Sequence, residues 1–495
     1  MPGTPAIVPL ATPPDVTAAL QAVSTAGPSF CMDTGGRYTF IGIRPVAQFQ
    51  CVGGFITTQQ GSRTRTAIDN PVDALRGFAT ILQDLPIDPY LPFYGGLVGY
   101  VGFEWGARAI PDTRADGNQE LPDAWLGLFD TVLVIDHVER SAYVASLGLD
   151  HTVQSRPALA EARAEELAAL VTEHATSSLD DPEAHRLLPN HDTERSLSTS
   201  ILSHRATDRD HPIAFMAEDL TPVSPRRRYR QIAQELKRCL WQGVAQRINL
   251  APRYVGLMPQ APWAVHAQLR QTNPAPYATY LDTGSFQLCS LSPTSFLTME
   301  QRELTAKPVL ACGPYQHGIA LPEPNEWLAE TPGARGLLHR LREELMPLAE
   351  QGTVREDPAA LEVDARSVHL TCNLRARLRA DYGLVDALSI IVPGLSMTGF
   401  PKHNVVRLLL QHEPFRRHAY TGALGMWGPH GRAQFNLGVR LLTIREGLGY
   451  LHAANWLDPA TDAEAALEAT DQRVAAFFAQ LHHLPIDTIH EQSLY

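Results

Sequence analysis

Charged residues are scarce in this chain: Asp, Glu, Lys and Arg make up 19% of its 495 residues, below the roughly one quarter usual for soluble domains. Basic residues are the scarcer kind, 41 Lys and Arg against 53 Asp and Glu, and the formal net charge is −12. That balance argues against a surface built to bind nucleic-acid phosphates, although a local basic pocket for a small anion is compatible with it. No stretch approaches the roughly 18–20 consecutive apolar residues that cross a bilayer, so no membrane partner is expected. The opening MPGTPAIVPLATPPDV lacks a basic n-region, and its prolines interrupt any apolar run, which makes it a poor signal peptide. Cysteine is sparse too. Cys31, Cys51, Cys239, Cys289, Cys312 and Cys372 lie far apart with no CxxC pair, which excludes zinc-finger and thioredoxin readings. Scattered thiols fit a reducing compartment, and a cytoplasmic location is expected.

What is present is a large globular chain. Its length allows about three domains, or fewer large ones. Short β runs broken by glycine fill residues 30–56, and Pro71–Leu85 carries apolar residues near a helical period. A Gly-rich strand is expected at Gly95–Phe103, a hairpin from Thr131–Asp136 to Ser141–Ser146, and a helix over Ala158–His174. Neither Gly35-Gly36 nor Gly95-Gly96 continues into a phosphate-loop pattern, so both read as turns or strand kinks. Between residues 177 and 225 periodicity dissolves, which marks a linker or irregular excursion. Arg226-Arg227-Arg228 then opens a helix through Tyr229–Gln242, and reads as a solvated first turn. Strands and helices mix afterwards without strict βαβ alternation, which favours an α+β fold.

Four stretches of the second half carry chemical potential. Pro393-Gly394-Leu395-Ser396-Met397-Thr398-Gly399-Phe400-Pro401-Lys402 runs from loop into helix and can offer N–H donors and a cation to a carboxylate. Tyr420-Thr421-Gly422-Ala423-Leu424-Gly425 and Phe435-Asn436-Leu437-Gly438-Val439-Arg440 read as two antiparallel strands. Arg440 ends the second, where a buried guanidinium needs an anion, whether a structural carboxylate or a bound one. Ser367-Val368-His369-Leu370-Thr371-Cys372 places one imidazole in an apolar strand. Carboxylates cluster at Glu343-Glu344 and at Glu464 and Glu468, the last two on one helical face.

The order of these stretches resembles the chorismate-utilising enzymes, specifically the large subunits (component I) of aminodeoxychorismate synthase and anthranilate synthase. Gly36-Arg37-Tyr38-Thr39-Phe40-Ile41-Gly42, Phe93–Tyr100 and Asp130–His137 carry the resemblance in the first half. Asn249-Leu250, Asn273–Tyr277, Ser292-Pro293, PGLSMTGFPK, YTGALG and FNLGVR follow in family order. The resemblance implies an α+β sandwich of two large β-sheets flanked by helices. It divides the chain into an N-terminal half resembling that of anthranilate synthase component I (1–176), the 177–225 excursion, a chorismate-binding half (226–485) and a tail (486–495). It further implies that Thr398, Gly399, Lys402, Tyr420, Gly422, Arg440 and Arg473 contact the substrate, with Arg440 on a carboxylate. His369 takes the catalytic histidine position, and Glu343 that of a Mg²⁺-binding, catalytic-site glutamate. A separate glutamine amidotransferase subunit is the implied ammonia source.

The pattern is altered at several positions. Leu310 stands where aminodeoxychorismate synthases place a nucleophilic lysine, so amination without a covalent lysine adduct is expected. Thr294 replaces a glutamate. The family's metal-binding helix aligns to Ala466 and Ala469, leaving Glu468 as the nearest second ligand, and Arg473 replaces a lysine. Mg²⁺ dependence is therefore expected to be weak or absent. The leading expectation is an enzyme resembling aminodeoxychorismate synthase component I that aminates chorismate with ammonia. The alternatives are a divergent, Mg²⁺-independent family member with another outcome, anthranilate included, or a non-catalytic binding subunit with the same fold.

Overall fold

In the computed structural model, residues 4–108, 121–177, 226–258, 260–315, 320–331, 333–364 and 367–482 are described. The 177–225 excursion therefore falls, but for its first residue, outside the described residues, as does the 486–495 tail. Two large antiparallel sheets organise the rest. One has ten strands, running from Ala6–Pro9 at one edge to Arg253–Leu257 at the other, with Tyr38–Ile43, Ser29–Thr34, Tyr277–Asp282, Gln287–Ser292 and Leu441–Arg445 between them. The other has eleven, with Ser295–Glu300, Ala433–Leu437, Ala423–Trp427, Gly96–Val101 and Ala124–Phe129 at its centre. Both sheets draw strands from both halves of the chain.

Alternation along the strands explains the layering, because successive side chains point to opposite faces. Phe30 and Met32, Val132 and Val134, and Leu441 join Tyr100, Trp125, Leu424 and Met426 of the facing sheet in one apolar core between the sheets. Their neighbours Cys31, Leu133, Ile135 and Leu442 face outward, where they meet the helices Val16–Ala26, Pro157–Ser177, Pro262–Thr272 and Ala463–His482. The eleven-stranded sheet buries Leu97, Leu126 and Ala423 on its outer face, under Pro71–Ala79, Ala334–Leu345 and Leu384–Ile391. The molecule is thus an α+β sandwich of two large sheets flanked by helices. With both faces covered, the central strands need little polarity, and this accounts for the low charged fraction.

The chain crosses between the sheets at short corners. Leu437 ends a strand of one sheet and Leu441 begins a strand of the other, so Gly438, Val439 and Arg440 form the corner. Ser292 and Ser295 bracket a second corner of the same kind. Two three-stranded sheets sit beside the sandwich. One pairs Arg247–Leu250 with Gly399–Phe400 and Asn455–Leu457, and the other pairs Ser367–Thr371 with Val309–Pro314 and Ala360–Val363.

Most expected elements appear. The hairpin pairs Asp136 with Ser141, and the expected Ala158–His174 helix spans Pro157–Ser177. The first-half helix is shorter than its periodicity predicts. Asn70 caps it by accepting from Val72 and Asp73 N–H, but it tightens after Ala79 into a 3₁₀ turn, Thr80–Asp84. The Gly-rich strand ends at Val101, and Phe103–Ala107 turns helical. Arg226 is not merely solvated: its guanidinium pairs with Glu464 at 3.1 Å and with Asp471.

Candidate active site

The corner arginine finds its anion in Asp364, a residue the sequence reading did not single out. Arg440 has a left-handed backbone, φ 48°, and its Nη1 donates to Asp364 Oδ2 at 3.2 Å. Its Nη2 donates to Ser367 Oγ at 3.0 Å. Ser367 in turn donates its hydroxyl proton to Asp364 Oδ2 at 2.6 Å, and its N–H donates to Oδ1 at 2.7 Å. His369, two residues along the same strand face, has Nε2 at 2.7 Å from Ser367 Oγ and 3.2 Å from Asp364 Oδ2. Because the single hydroxyl proton of Ser367 is committed to Asp364, Nε2 of His369 must carry the proton in its bond to Ser367. Burial disfavours the imidazolium, but Asp364 and the neighbouring Cys312 more than offset it, and its pKa rises from 6.5 to about 9. At neutral pH the cluster holds two cations, Arg440 and His369, around one buried carboxylate.

Two predicted residues converge on the backbone of one residue, Ala454. The Tyr420 hydroxyl accepts from Ala454 N–H at 3.1 Å, while Arg473 Nη2 donates to Ala454 O at 3.1 Å and to Thr470 Oγ1 at 3.1 Å. Tyr420 also stacks on His452, with centroids 5.3 Å apart, and burial raises its phenol pKa. Gly422 ties this group to the corner: its carbonyl accepts from Gly438 N–H at 2.8 Å, two residues before Arg440. A Cβ at Gly422 would lie 2.4 Å from Val101 O, so only glycine permits this approach. Around the corner, the hydroxyl of Thr421 and both amide atoms of Asn436 are buried without a partner among the described residues. Buried polar groups are nearly always satisfied, so these fit a polar ligand between the sheets.

The Thr398–Lys402 segment uses its polar groups internally. Thr398 Oγ1 donates to Gly394 O at 2.8 Å, and Gly399 holds φ 133° with its α-carbon against Arg247 O. Lys402 is buried and donates to Ile390 O at 2.6 Å and Ile391 O at 3.2 Å, closing the end of the Leu384–Ile391 helix. Burial lowers its pKa, opposed by Glu344 at 3.4 Å. The Lys402 ammonium, expected to contact a substrate, serves in the structure as an internal cap.

Glu343 and Glu468, the expected metal ligands, both lie on exposed helix faces. Glu343 is half-exposed and bonds within its own helix, to His339 and Arg340 at 3.3 Å each. Glu344, not Glu343, points inward. Glu468 is exposed, and the buried side of its helix presents Ala466, Leu467 and Thr470. Among the described residues no three His, Cys, Asp or Glu side chains converge to hold a metal ion. The residues do not fit a Mg²⁺ held jointly by Glu343 and Glu468.

A cavity of about 420 Å³ opens elsewhere between the sheets, against Tyr38, Phe93, Met426 and His430. None of the predicted site residues lines it. Sequence reasoning missed Asp364 and gave Ser367 no role, although Asp-x-x-Ser-x-His entering an apolar strand offered a signal: a protonated imidazole below the surface needs a carboxylate close by.

Aminodeoxychorismate synthase component 1 of Klebsiella aerogenes is 25% identical over 465 residues, 91% of this chain and 92% of its own length. Anthranilate synthase component 1 of Streptomyces coelicolor is 26% identical over 452 residues, 88% of this chain and 78% of its own. The crystal structure of anthranilate synthase component I from Streptococcus pneumoniae TIGR4 superposes with a TM-score of 0.66 at 19% identity, covering 90% of this chain and 92% of the other. Among the described residues no helix is long and apolar enough to cross a membrane. Residues 27–313 and 336–455 match the family model for chorismate binding enzymes, and the chain belongs to that family.

Proposed function

We propose that the protein is an aminodeoxychorismate synthase component I-type enzyme, which aminates chorismate with ammonia. The observation that carries this reading is the corner cluster: Arg440 and protonated His369 stand side by side on Ser367 and Asp364. Arg440 commits two of its five N–H donors there, and the remainder can grip a substrate carboxylate. His369 supplies a proton where a ring hydroxyl must depart. His369 is buried and Arg440 partly so, which strengthens their action on an anionic ring. Leu310, packed against the apolar cluster under the helices, offers no nucleophile, so ammonia attacks the ring directly. That ammonia comes from solution or from a separate amidotransferase subunit.

The inward turn of Glu344 and the half-exposure of Glu343 favour a second reading, a divergent family member that works without Mg²⁺ and reaches another product. Incubating the protein with chorismate and ammonium salt, with and without Mg²⁺, followed by mass spectrometry, separates the two. The expected product is an aminated ring that retains its enolpyruvyl group. Conversion to any other product, or no conversion under either condition, contradicts the amination reading.

A further inference from the structure

Glu104 is 2% exposed, and both of its carboxylate oxygens are taken by consecutive backbone donors of a distant segment. Oε1 accepts from Arg417 N–H at 2.9 Å and Oε2 from His418 N–H at 3.0 Å. The short helix that carries Glu104, Phe103–Ala107, also donates its first N–H to His418 O at 2.8 Å. A Cβ at Gly102 would lie 2.6 Å from that carbonyl, so the two segments meet with no room for a side chain between them. These contacts grip the start of the turn that presents Tyr420. Within it, Tyr420 N–H donates to Arg417 O at 2.9 Å, Gly422 N–H to Ala419 O at 3.1 Å, and Thr421 N–H to Gly438 O at 2.8 Å.

The turn needs that grip. His418 and Thr421 hold left-handed backbones, φ 51° and 61°, which residues other than glycine keep only where their surroundings impose them. Gly438 fixes one side of the turn and Glu104 the other. The charged and titratable groups facing Glu104 are Asp123, Tyr100, Arg108 at the end of its own helix, and Arg416, Arg417 and His418 on the turn. Arg108 is spent on Asp123, and Arg417 on Glu413. Burial and the Asp123 carboxylate push the Glu104 pKa from 4.5 up to about 7, against the backbone N–H groups and Arg416. We propose that Glu104 is a positioning residue for Tyr420: its carboxylate clamps the 417–422 turn in the shape that receives the substrate, and taking up a proton opens the clamp, so that substrate binding weakens on acidification. What is bound rests on the chorismate reading above; the clamp itself does not.

The hydrogen-bond inventory explains the effect. An ionised carboxylate only accepts and serves both N–H groups, whereas the neutral acid turns one oxygen into a donor. At that oxygen two donors meet, and one of the two bonds is lost. The other groups near the substrate keep their charge over the same range. His369 holds its proton up to about pH 9, and burial keeps the His452 pKa well below 6.5.

The test measures chorismate affinity by calorimetry at pH 6 and pH 8 in the unmutated protein and in Glu104→Gln. Amide hydrogen exchange of peptides spanning residues 416–422 is followed alongside, without ligand and corrected for the intrinsic pH dependence of exchange. In the unmutated protein, protection of those peptides should fall severalfold from pH 8 to pH 6. Chorismate affinity should fall by about tenfold, as the ionised fraction does. The amide of Glu104→Gln presents one acceptor and one donor, like the neutral acid, and should show the low values at both pH values. Equal protection at both pH values in the unmutated protein overturns the clamp, as does a pH dependence that persists in Glu104→Gln. If that variant fails to fold, the exchange profile of the unmutated protein decides alone. Protection that depends on Glu104 and pH, with no chorismate bound at either pH, upholds the clamp and overturns the chorismate reading. Chorismate binding of equal affinity at both pH values overturns the positioning role and leaves that reading standing.

Discussion

His369 shows how one side chain converts its surroundings into a measurable property. Its pKa in the folded protein, about 9, lies above the 6.5 of a free imidazole, so the folded state binds the proton more tightly than the unfolded one. Stability from this group is complete below about pH 6.5 and is lost as pH rises through about 9. The difference corresponds to about 3 kcal/mol. Denaturant unfolding at pH 6 and at pH 9.5 should therefore show a loss in the unmutated protein about 3 kcal/mol larger than in His369→Gln. Parallel losses in both would mean that Asp364 does not hold the imidazolium. The sequence showed the imidazole and Arg440 but not their shared partner. Asp364 is separated from Arg440 by 75 intervening positions, and only the corner between the sheets brings them within 3.2 Å. Glu343 shows the opposite difficulty. Motif alignment picks a residue by its number along the chain, whereas helix rotation decides which of two adjacent carboxylates faces inward, about 100° apart.

At the scale of elements, the segments around the site are joined by Arg417. Its buried guanidinium bonds both carboxylate oxygens of Glu413, at 2.9 and 2.7 Å, and reaches Met397 O at 3.2 Å and Asn249 O. It also lies 4.9 Å over the Phe103 ring. One side chain thus fastens the Met397–Thr398 loop, the Arg247–Leu250 strand and the end of the Lys402–His412 helix. Arg417→Met keeps the apolar stem but removes the guanidinium from the buried Glu413 carboxylate, which still accepts from Ala251 N–H at 2.9 Å. A loss of about 3–5 kcal/mol is expected in denaturant unfolding; a loss below about 1 kcal/mol would mean that the segments are held by packing alone. Regular elements of this kind were legible beforehand. The hairpin after Thr131 and the helix after Pro157 announce themselves by period and composition. The Gly399–Phe400 strand did not, since two residues carry no period, and its place is fixed by pairing with Arg247 and Ile248.

For the whole molecule, the consequence of two interleaved sheets is that the site belongs to neither half. Arg440 sits where the chain leaves one sheet for the other, while His369 comes from a small sheet beside both. The ordered motifs made the sandwich readable from sequence through the family resemblance they carry, whereas the pattern of strands and helices by itself pointed only to an α+β fold. The detailed site was less readable, because corners and three-residue loops set it. The central claim is that this corner cluster binds chorismate, and calorimetric titration of chorismate into the unmutated protein and Arg440→Ala tests it most directly. Saturable binding is expected, weakened in the variant by about 1.5–3 kcal/mol, the usual loss for a charged hydrogen bond. Undetectable binding by the unmutated protein, or equal affinity in Arg440→Ala, would contradict the account.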